Sequence, residues 1–576
     1  DRKALPKPEI TRSELEGAFV APRNEAEEKL AAIWQQLLGV DQIGVNDNFF
    51  ELGGDSILTI QVIAKAKQAG LQLTPKQLFQ YPTIAGLAAV AGTTKPILAE
   101  QGLVTGEIPL TPIQHSFFEQ NLPEPQHWNQ SILLEIRQAM NIDWLKEAIR
   151  YLINHHDALR LQFDRGENGW KQINGGELAE MPFEYFDFST IKESELKGKI
   201  EATANELQAR LDLASGRIVK FAYFNLGKGK TGRLLIVIHH TAIDGVSWRI
   251  LLEDLHTVYL QLSQGEKIQL PPKTTSFQQW SKRLSDYSQS DALENEMVYW
   301  EELSRKAIAS LPVDFPGGSN LEKDAGMVEF ALTKEETQSL LKEIPASFGT
   351  TINDVLLTAV TSAFAHWTGD NSLLVDLEGH GREDIFDDVD LTRTVGWFTS
   401  LYPVFLELPQ GRSLAAGLKA IKEQLHRIPH HGIGYGLLRY LNQKADIRKR
   451  LQSQPRSEVA FNYLGQFDQL AGEATPFAPA PESSGRERNL ISPRSHLIII
   501  NSSVTGEVLK VTWNYSEALH QAETIERLAN NFVEILREIL DLSQSSEGIG
   551  YTPSDFKDVE LEQAELDELV AELEEV

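Results

Sequence analysis

No cysteine occurs among the 576 residues. That excludes disulfides, thiolate metal sites and a cysteine nucleophile, and it makes a reducing cytoplasm the simplest compartment. Basic residues are scarce beside acidic ones: 54 Lys and Arg face 82 Asp and Glu, a net charge of −28. Such a surface repels phosphate backbones and anionic lipid, so neither nucleic acid nor a membrane is an expected partner. No apolar run approaches the roughly 20 residues that span a bilayer, and no charged-then-apolar leader opens the chain. What is present is a chain too long for one hydrophobic core, with 41% apolar residues, which predicts a few ordinary globular domains.

Periodicity changes along the chain. Apolar residues recur at helical spacing from Asn24 to Leu38 and again from Ile57 to Ala69, with shorter helical stretches at Gln72–Phe79 and Pro82–Val90. Residues 20–92 are therefore expected to form a small all-α bundle of four helices, and 93–107 a linker. From Ile108 to Leu542, β-rich runs such as Leu234–Ile238 and His496–Ile500 alternate with long amphipathic helices, the pattern of a mixed α/β region. Its length favours two halves, set at roughly 108–272 and 273–542, with a site at their junction.

Ser56 follows Phe49-Phe50-Glu51-Leu52-Gly53-Gly54-Asp55, a glycine turn running into a helix start, where unsatisfied N–H groups favour a phosphate. Taken alone it reads as an N-cap serine. The whole run, inside a small acidic bundle, resembles the peptidyl carrier domains of nonribosomal peptide synthetases. That resemblance implies 4′-phosphopantetheine attached covalently to Ser56 by a phosphopantetheinyl transferase. Asp55, where carriers often have His, is typical of carriers that feed epimerisation domains. The opening Asp1-Arg2-Lys3-Ala4-Leu5-Pro6 resembles the last motif of an adenylation domain, so residues 1–19 are expected to be the tail of an upstream partner absent here.

In the large region, His239-His240-Thr241-Ala242-Ile243-Asp244-Gly245 ends an apolar strand. Neighbours on a strand face opposite ways, so one imidazole is placed for general base work and the other for the core. A histidine pair by itself is more often structural, and no third ligand recurs at a spacing that suggests a metal. Asp244 reads as a brace for the loop through an arginine. Glu378-Gly379-His380-Gly381-Arg382-Glu383 follows another apolar run; its glycines suit close approach to a substrate, and burial would tune the Glu378 carboxyl. Phe461-Asn462-Tyr463-Leu464-Gly465-Gln466-Phe467 reads as a strand that turns only one of Asn462 and Tyr463 into a site unless it bulges.

These runs, with Pro112-Ile113-Gln114, Arg393-Thr394-Val395-Gly396-Trp397-Phe398-Thr399 and Pro429–Gly436, resemble the epimerisation domains of the condensation-domain superfamily across residues 108–542. Condensation domains share the double histidine; the EGHGRE and FNYLGQF runs mark the epimerising branch. Ser116 stands where the family usually has an aromatic, a difference that touches packing more than chemistry. The resemblance implies a chloramphenicol-acetyltransferase-like pseudo-dimer, two α/β half-domains in a V. His240 and Glu378 would enter from opposite sides, with His239, Asp244, Arg382, Asn462 and Tyr463 completing the site. It implies an isomerase that inverts the α-carbon, L to D, of an aminoacyl or peptidyl thioester on the carrier through an enolate. The oxygen donor is Asn462, Tyr463 or a backbone N–H, and no metal is required. Two other readings are an amide-forming condensation domain and a catalytically silent docking module.

Residues 543–576 are a linker and an acidic helix. Val559, Leu566, Leu569, Val570, Leu573 and Val576 share one face and Glu562, Glu565, Glu568, Glu572 and Glu575 surround it. With Thr552-Pro553-Ser554-Asp555 before it, this helix resembles the donor communication-mediating segments that dock on the condensation domain of a next synthetase subunit.

Overall fold

The computed structural model describes residues 19–92, 97–138, 140–167, 169–306, 308–411, 413–466 and 477–543, with a few isolated positions between 552 and 566. The adenylation-like opening, Phe467 of the FNYLGQF run and nearly all of the acidic tail lie outside the described residues. The chain divides into two compact units, one within residues 1–96, 335–353 and 540–576 and the other within 97–334 and 354–539. The segment 335–353 thus groups with the first unit, whereas its place in the sequence puts it inside the large domain. Compactness follows contacts in space, which linker composition does not reveal.

The first unit contains helices α1 (Glu25–Leu38), α2 (Ser56–Gln68), α3 (Pro75–Gln80) and α4 (Ile84–Val90). Each begins at a side-chain cap: Asn24, Asp55, Thr74 and Thr83 each accept from the backbone N–H three positions into the helix. Thr74 and Gln77 form a reciprocal capping box, which starts α3 three residues later than apolar spacing suggests. Leu30, Trp34, Phe49, Leu58, Val62 and Leu73 are fully buried in one cluster. At about 1.5–3 kcal/mol for each large apolar side chain, this cluster is what holds the bundle. Phe49, from the run that precedes Ser56, packs on Trp34 with ring centroids 5.0 Å apart. A Cβ at Gly54 would collide with the Phe49 ring, so that glycine is required for the turn to close.

The second unit has strands β1 (Gly106–Ile108), β2 (Asn129–Ile136), β3 (Leu161–Gly166), β4 (Gly169–Asn174), β5 (Phe183–Asp187), β6 (Val219–Asn225) and β7 (Gly232–His239) in its first half. Its second half has β8 (Ala325–Ala331), β9 (Ser372–Gly379), β10 (Ser400–Glu407), β11 (Val459–Gln466), β12 (Phe477–Pro479), β13 (Ile498–Thr505) and β14 (Val508–Ser516). One five-stranded sheet runs β12-β2-β7-β6-β5 and one six-stranded sheet runs β10-β9-β11-β13-β14-β8. Every residue of β7 is buried, which is why it reads as a continuous apolar run rather than an alternating one. Helices α5 (Pro112–Glu119), α6 (Ile142–His155), α7 (Glu193–Gln208) and α8 (Gly245–Gln264) belong to the first half. Leu196, Ile200, Ala204 and Leu207, at helical spacing on α7, pack in one cluster with Leu235 and Val237 of β7. β12 crosses over: it comes from the second half of the chain yet pairs antiparallel with β2 at the edge of the first half's sheet. No described helix is long and apolar enough to cross a membrane.

Candidate functional site

In the carrier bundle, Ser56 is exposed and is the first residue of α2, while Asp55 is the N-cap, its carboxylate accepting the Leu58 N–H at 2.7 Å. The N-cap role that Ser56 taken alone suggests thus falls to Asp55. A short acidic side chain already reaches the third N–H, which leaves the serine hydroxyl outward, where esterification by a phosphate arm buries no charge. The residues present fit the arm.

In the second unit, β7 delivers the two histidines to different environments. His239 is fully buried, its ring meeting the Thr241 hydroxyl and the Pro125 carbonyl, both at 2.8 Å. Burial pushes it down to about 3, so it is a neutral core residue. His240 opens a single 3-10 turn and remains partly accessible. Its Nδ1 lies 2.9 Å from the Ile243 carbonyl, an acceptor only, so Nδ1 carries the proton and Nε2 keeps its lone pair. Burial within the unit pushes this imidazole down to about 4. The chain then turns at Asp244, which caps α8 by accepting the Ser247 N–H at 2.8 Å.

Asp244 also joins the two halves. Arg382, on the loop after β9, donates to both of its oxygens at 2.8 and 3.1 Å and to Ser247 Oγ and the Thr394 carbonyl. The Phe398 N–H adds a third donor to Asp244, and the guanidinium stacks on the Phe398 ring at 4.0 Å. Trp397, next in that loop, sits 4.5 Å from the His240 ring. Gly381 has φ 65 and no room for a Cβ against the Phe398 carbonyl. This glycine serves the closure of backbone on backbone, in place of the approach to a substrate that its motif suggests.

Glu378, near the end of β9, accepts from Asn462 Nδ2 at 2.9 Å. Its carboxyl lies among the atoms of the unit, yet its surface is open to water. Burial raises it, against the opposing charges of His496 and Arg488. Tyr463, one residue on, takes the other face of β11; the strand's irregularity begins only after it, and its hydroxyl is buried. Of the two expected residues, Asn462 is the one brought to Glu378. His380 is pushed by burial down to about 3 and Glu383 by burial up to about 8, so their 3.5 Å contact joins neutral groups and is no ion pair. Asp376 shares the Glu378 face of β9 and lines a cavity of about 330 Å³ with Ser116, Trp397, Ser400, Tyr402 and His496. Ser116 therefore belongs to the cavity wall rather than to packing alone.

Two residues escape a reading of the sequence. Gln130 Nε2 stands 3.0 Å from His240 Nε2, with its carbonyl held by the Trp248 indole at 2.7 Å. Arg488 stacks on Trp128 at 4.0 Å, and its positive charge lowers both His240 and Glu378. The polar pair Asn129-Gln130 at the head of the apolar strand SILLEI is the available signal. The group His155, His156 and Asp254 has metal-ligand chemistry, but His156 bonds Asp254 at 2.9 Å and Arg393 pairs with the same carboxylate.

The condensation-domain family model matches residues 104–562, most of the chain. The chain belongs to the condensation-domain family. A phosphopantetheine attachment site model matches residues 28–91, ahead of the condensation-family domain, so 4′-phosphopantetheine is the covalent cofactor of the carrier. A linear gramicidin synthase protein of Brevibacillus parabrevis is 48% identical over 99% of this chain, and surfactin synthase subunit 1 of Bacillus subtilis (strain 168) is 39% identical over 99%. The chain spans only 8% and 16% of those two relatives. The crystal structure of the epimerization domain from the third module of tyrocidine synthetase B superposes with a TM-score of 0.73 at 37% identity, covering 77% of this chain and 99% of that one. The condensation-family domain thus has the chloramphenicol-acetyltransferase-like fold of two sheet-rich halves.

Proposed function

We propose that this condensation-family domain is an isomerase that inverts the α-carbon of an aminoacyl or peptidyl group carried as a thioester at Ser56. The arm, when bound, supplies the thioester whose carbonyl acidifies the α-hydrogen. The observation that carries the reading is the pairing of opposite protonation tendencies. His240 is neutral, with Nδ1 protonated and Nε2 an acceptor, and burial raises the Glu378 carboxyl. They come from different halves, joined through Asp244 and Arg382. A neutral imidazole with an accepting nitrogen and a carboxyl whose hold on a proton is strengthened are the set that inversion needs. One group takes the proton from one face of Cα and the other delivers a proton to the opposite face. Asn462 orients the Glu378 carboxyl, and Arg382 with Asp244 holds the two loops in register. The 37% identity to an epimerization domain supports the same reading.

The proposed partners are a phosphopantetheinyl transferase, an upstream adenylation domain, and a downstream condensation domain reached through residues 552–576. The test loads the chain with a panel of L-aminoacyl arms in D2O, releases the acid and resolves its enantiomers by chiral chromatography with mass detection. Both enantiomers should appear, with deuterium at Cα. A purely L product without deuterium overturns the reading, and amide formation with a second loaded carrier would make the domain a condensation enzyme.

A further inference from the structure

The reaction proposed above develops negative charge on the thioester oxygen, and a site that accelerates it needs a hydrogen-bond donor there. Asn462 Nδ2 is engaged with Glu378, and Tyr463 lies on the other face of its strand. Asn462 thus stands beside Glu378, and the donor that stands beside His240 is a different residue.

That residue is Gln130. The indole of Trp248 is a donor only, so the atom it meets at 2.7 Å is the amide oxygen of Gln130. That places the Gln130 NH2 group toward His240 and fixes its orientation by chemistry. His240 Nδ1 bears its proton toward Ile243, so Nε2, 3.0 Å from Gln130 Nε2, accepts. The chain Trp248 N–H to Gln130 to His240 to the Ile243 carbonyl is therefore directional throughout. An amide nitrogen has two hydrogens: one serves His240, and the other meets no partner among the described residues. Gln130 and His240 are both partly accessible, so the pair presents a base and a donor side by side on one wall.

Their spacing suits a thioester. The carbonyl oxygen lies about 2.4 Å from Cα by bond geometry, and a base attacks from about 3–3.5 Å. A donor 3.0 Å from the base nitrogen can reach the oxygen once its hydrogen bond to Nε2 is exchanged for one to substrate, which frees the Nε2 lone pair to face Cα. We propose that Gln130 is a catalytic hydrogen-bond donor whose amide N–H, aligned by Trp248, binds the substrate's thioester oxygen beside His240; the inference rests on the epimerase reading. As one proton-transfer group removes the α-proton, the C–H electron pair moves into the Cα–C bond and the carbonyl π pair onto oxygen, against the Gln130 N–H. The pair returns to Cα when the opposite group delivers its proton.

The charged oxygen is common to both directions of reaction, which separates this role from that of the bases. Gln130→Met keeps length and removes the donor, and Gln130→Glu keeps shape and replaces the donor with an acceptor, so one tests the other if either folds poorly. With the chain loaded separately with L- and D-aminoacyl arms in D2O, both variants should lose about a hundredfold in exchange. The factor should be the same from either enantiomer, with the final L to D ratio unchanged. Exchange within threefold of the unsubstituted chain overturns the inference. Loss confined to one enantiomer also overturns it and makes Gln130 a positioning residue for His240. Absence of exchange in the unsubstituted chain would overturn the proposed function itself.

Discussion

Asp244 and Arg382 face each other through two hydrogen bonds of 2.8 and 3.1 Å, one residue capping α8 and the other on the loop that follows β9. Both side chains are almost completely buried, at 7% and 1% exposure. A charge left alone in that place costs about 3–5 kcal/mol. Asp244→Asn is expected to lose stability on that scale in urea unfolding and to abolish α-proton exchange. Asp244→Asn combined with Arg382→Met should recover part of the stability without the activity, because no lone guanidinium remains buried. A single variant as stable as the unsubstituted chain would show the pair to be dispensable.

The exposed Ser56 at the start of α2 predicts one phosphopantetheine added by a transferase and coenzyme A, read as a single mass increment. Ser56→Ala should add none while retaining its helical circular dichroism. Labelling of the alanine variant would move the attachment point elsewhere.

If His240 and Glu378 serve opposite faces of Cα, each acts once per inversion. Both His240→Ala and Glu378→Gln should abolish net inversion. Each should still wash deuterium into the enantiomer whose proton faces the surviving group, and the two variants should prefer opposite enantiomers. Near-normal inversion in the glutamine variant would leave Glu378 a bystander.

Acid should weaken the fold before most carboxylates titrate. Burial pushes His155 and His240 down to about 4 and His239 and His380 down to about 3. Between those values and 6.5 the unfolded chain binds protons that the folded chain refuses, so unfolding free energy rises with pH there. Stability is thus lost as pH falls from 6.5 toward 4. Urea midpoints at pH 7, 5.5 and 4.5 measure it, and equal midpoints would contradict the assignment.

Glu383 acts with the opposite sign. Its carboxyl, raised by burial to about 8, keeps a proton in the folded state that the unfolded chain releases above its ordinary 4.5. The associated stability is complete below 4.5 and is lost as pH rises toward 8. Glu383→Gln should raise the urea midpoint at pH 8, by on the order of 3 kcal/mol in unfolding free energy, and leave it unchanged at pH 4.5. No gain at pH 8 would mean that the carboxyl ionises freely.

The strands and the carrier helices were legible because their signal is local. Apolar spacing marks α1 and α2, an unbroken apolar run marks β7, and alternation separates Asn462 from Tyr463. What escaped depends on residues far apart in sequence. Gln130 acquires meaning only when β2 pairs beside β7 and Trp248 turns back from α8. Arg488 matters only because its segment returns from the second half to stack on Trp128. The glycines of EGHGRE demand close approach, but only the folded chain shows that Gly381 meets the Phe398 carbonyl. Nothing in the order of residues distinguishes a ligand from another stretch of backbone.

The crossing strand β12 has a consequence for recombination. Its pairing with β2, and the nearby bonds from Asn129 N–H to the Glu487 carbonyl and from Ser131 to the Glu487 carboxylate, make the second half of the chain complete the edge of the first half's sheet. A cut between the halves strips β2 of that partner and exposes an open edge, an invitation to aggregation. Chimeras that exchange one half with a relative should therefore succeed only when residues 477–489 travel with the first half's sheet. The effective unit of exchange is a discontinuous one, defined by a sheet edge instead of a linker.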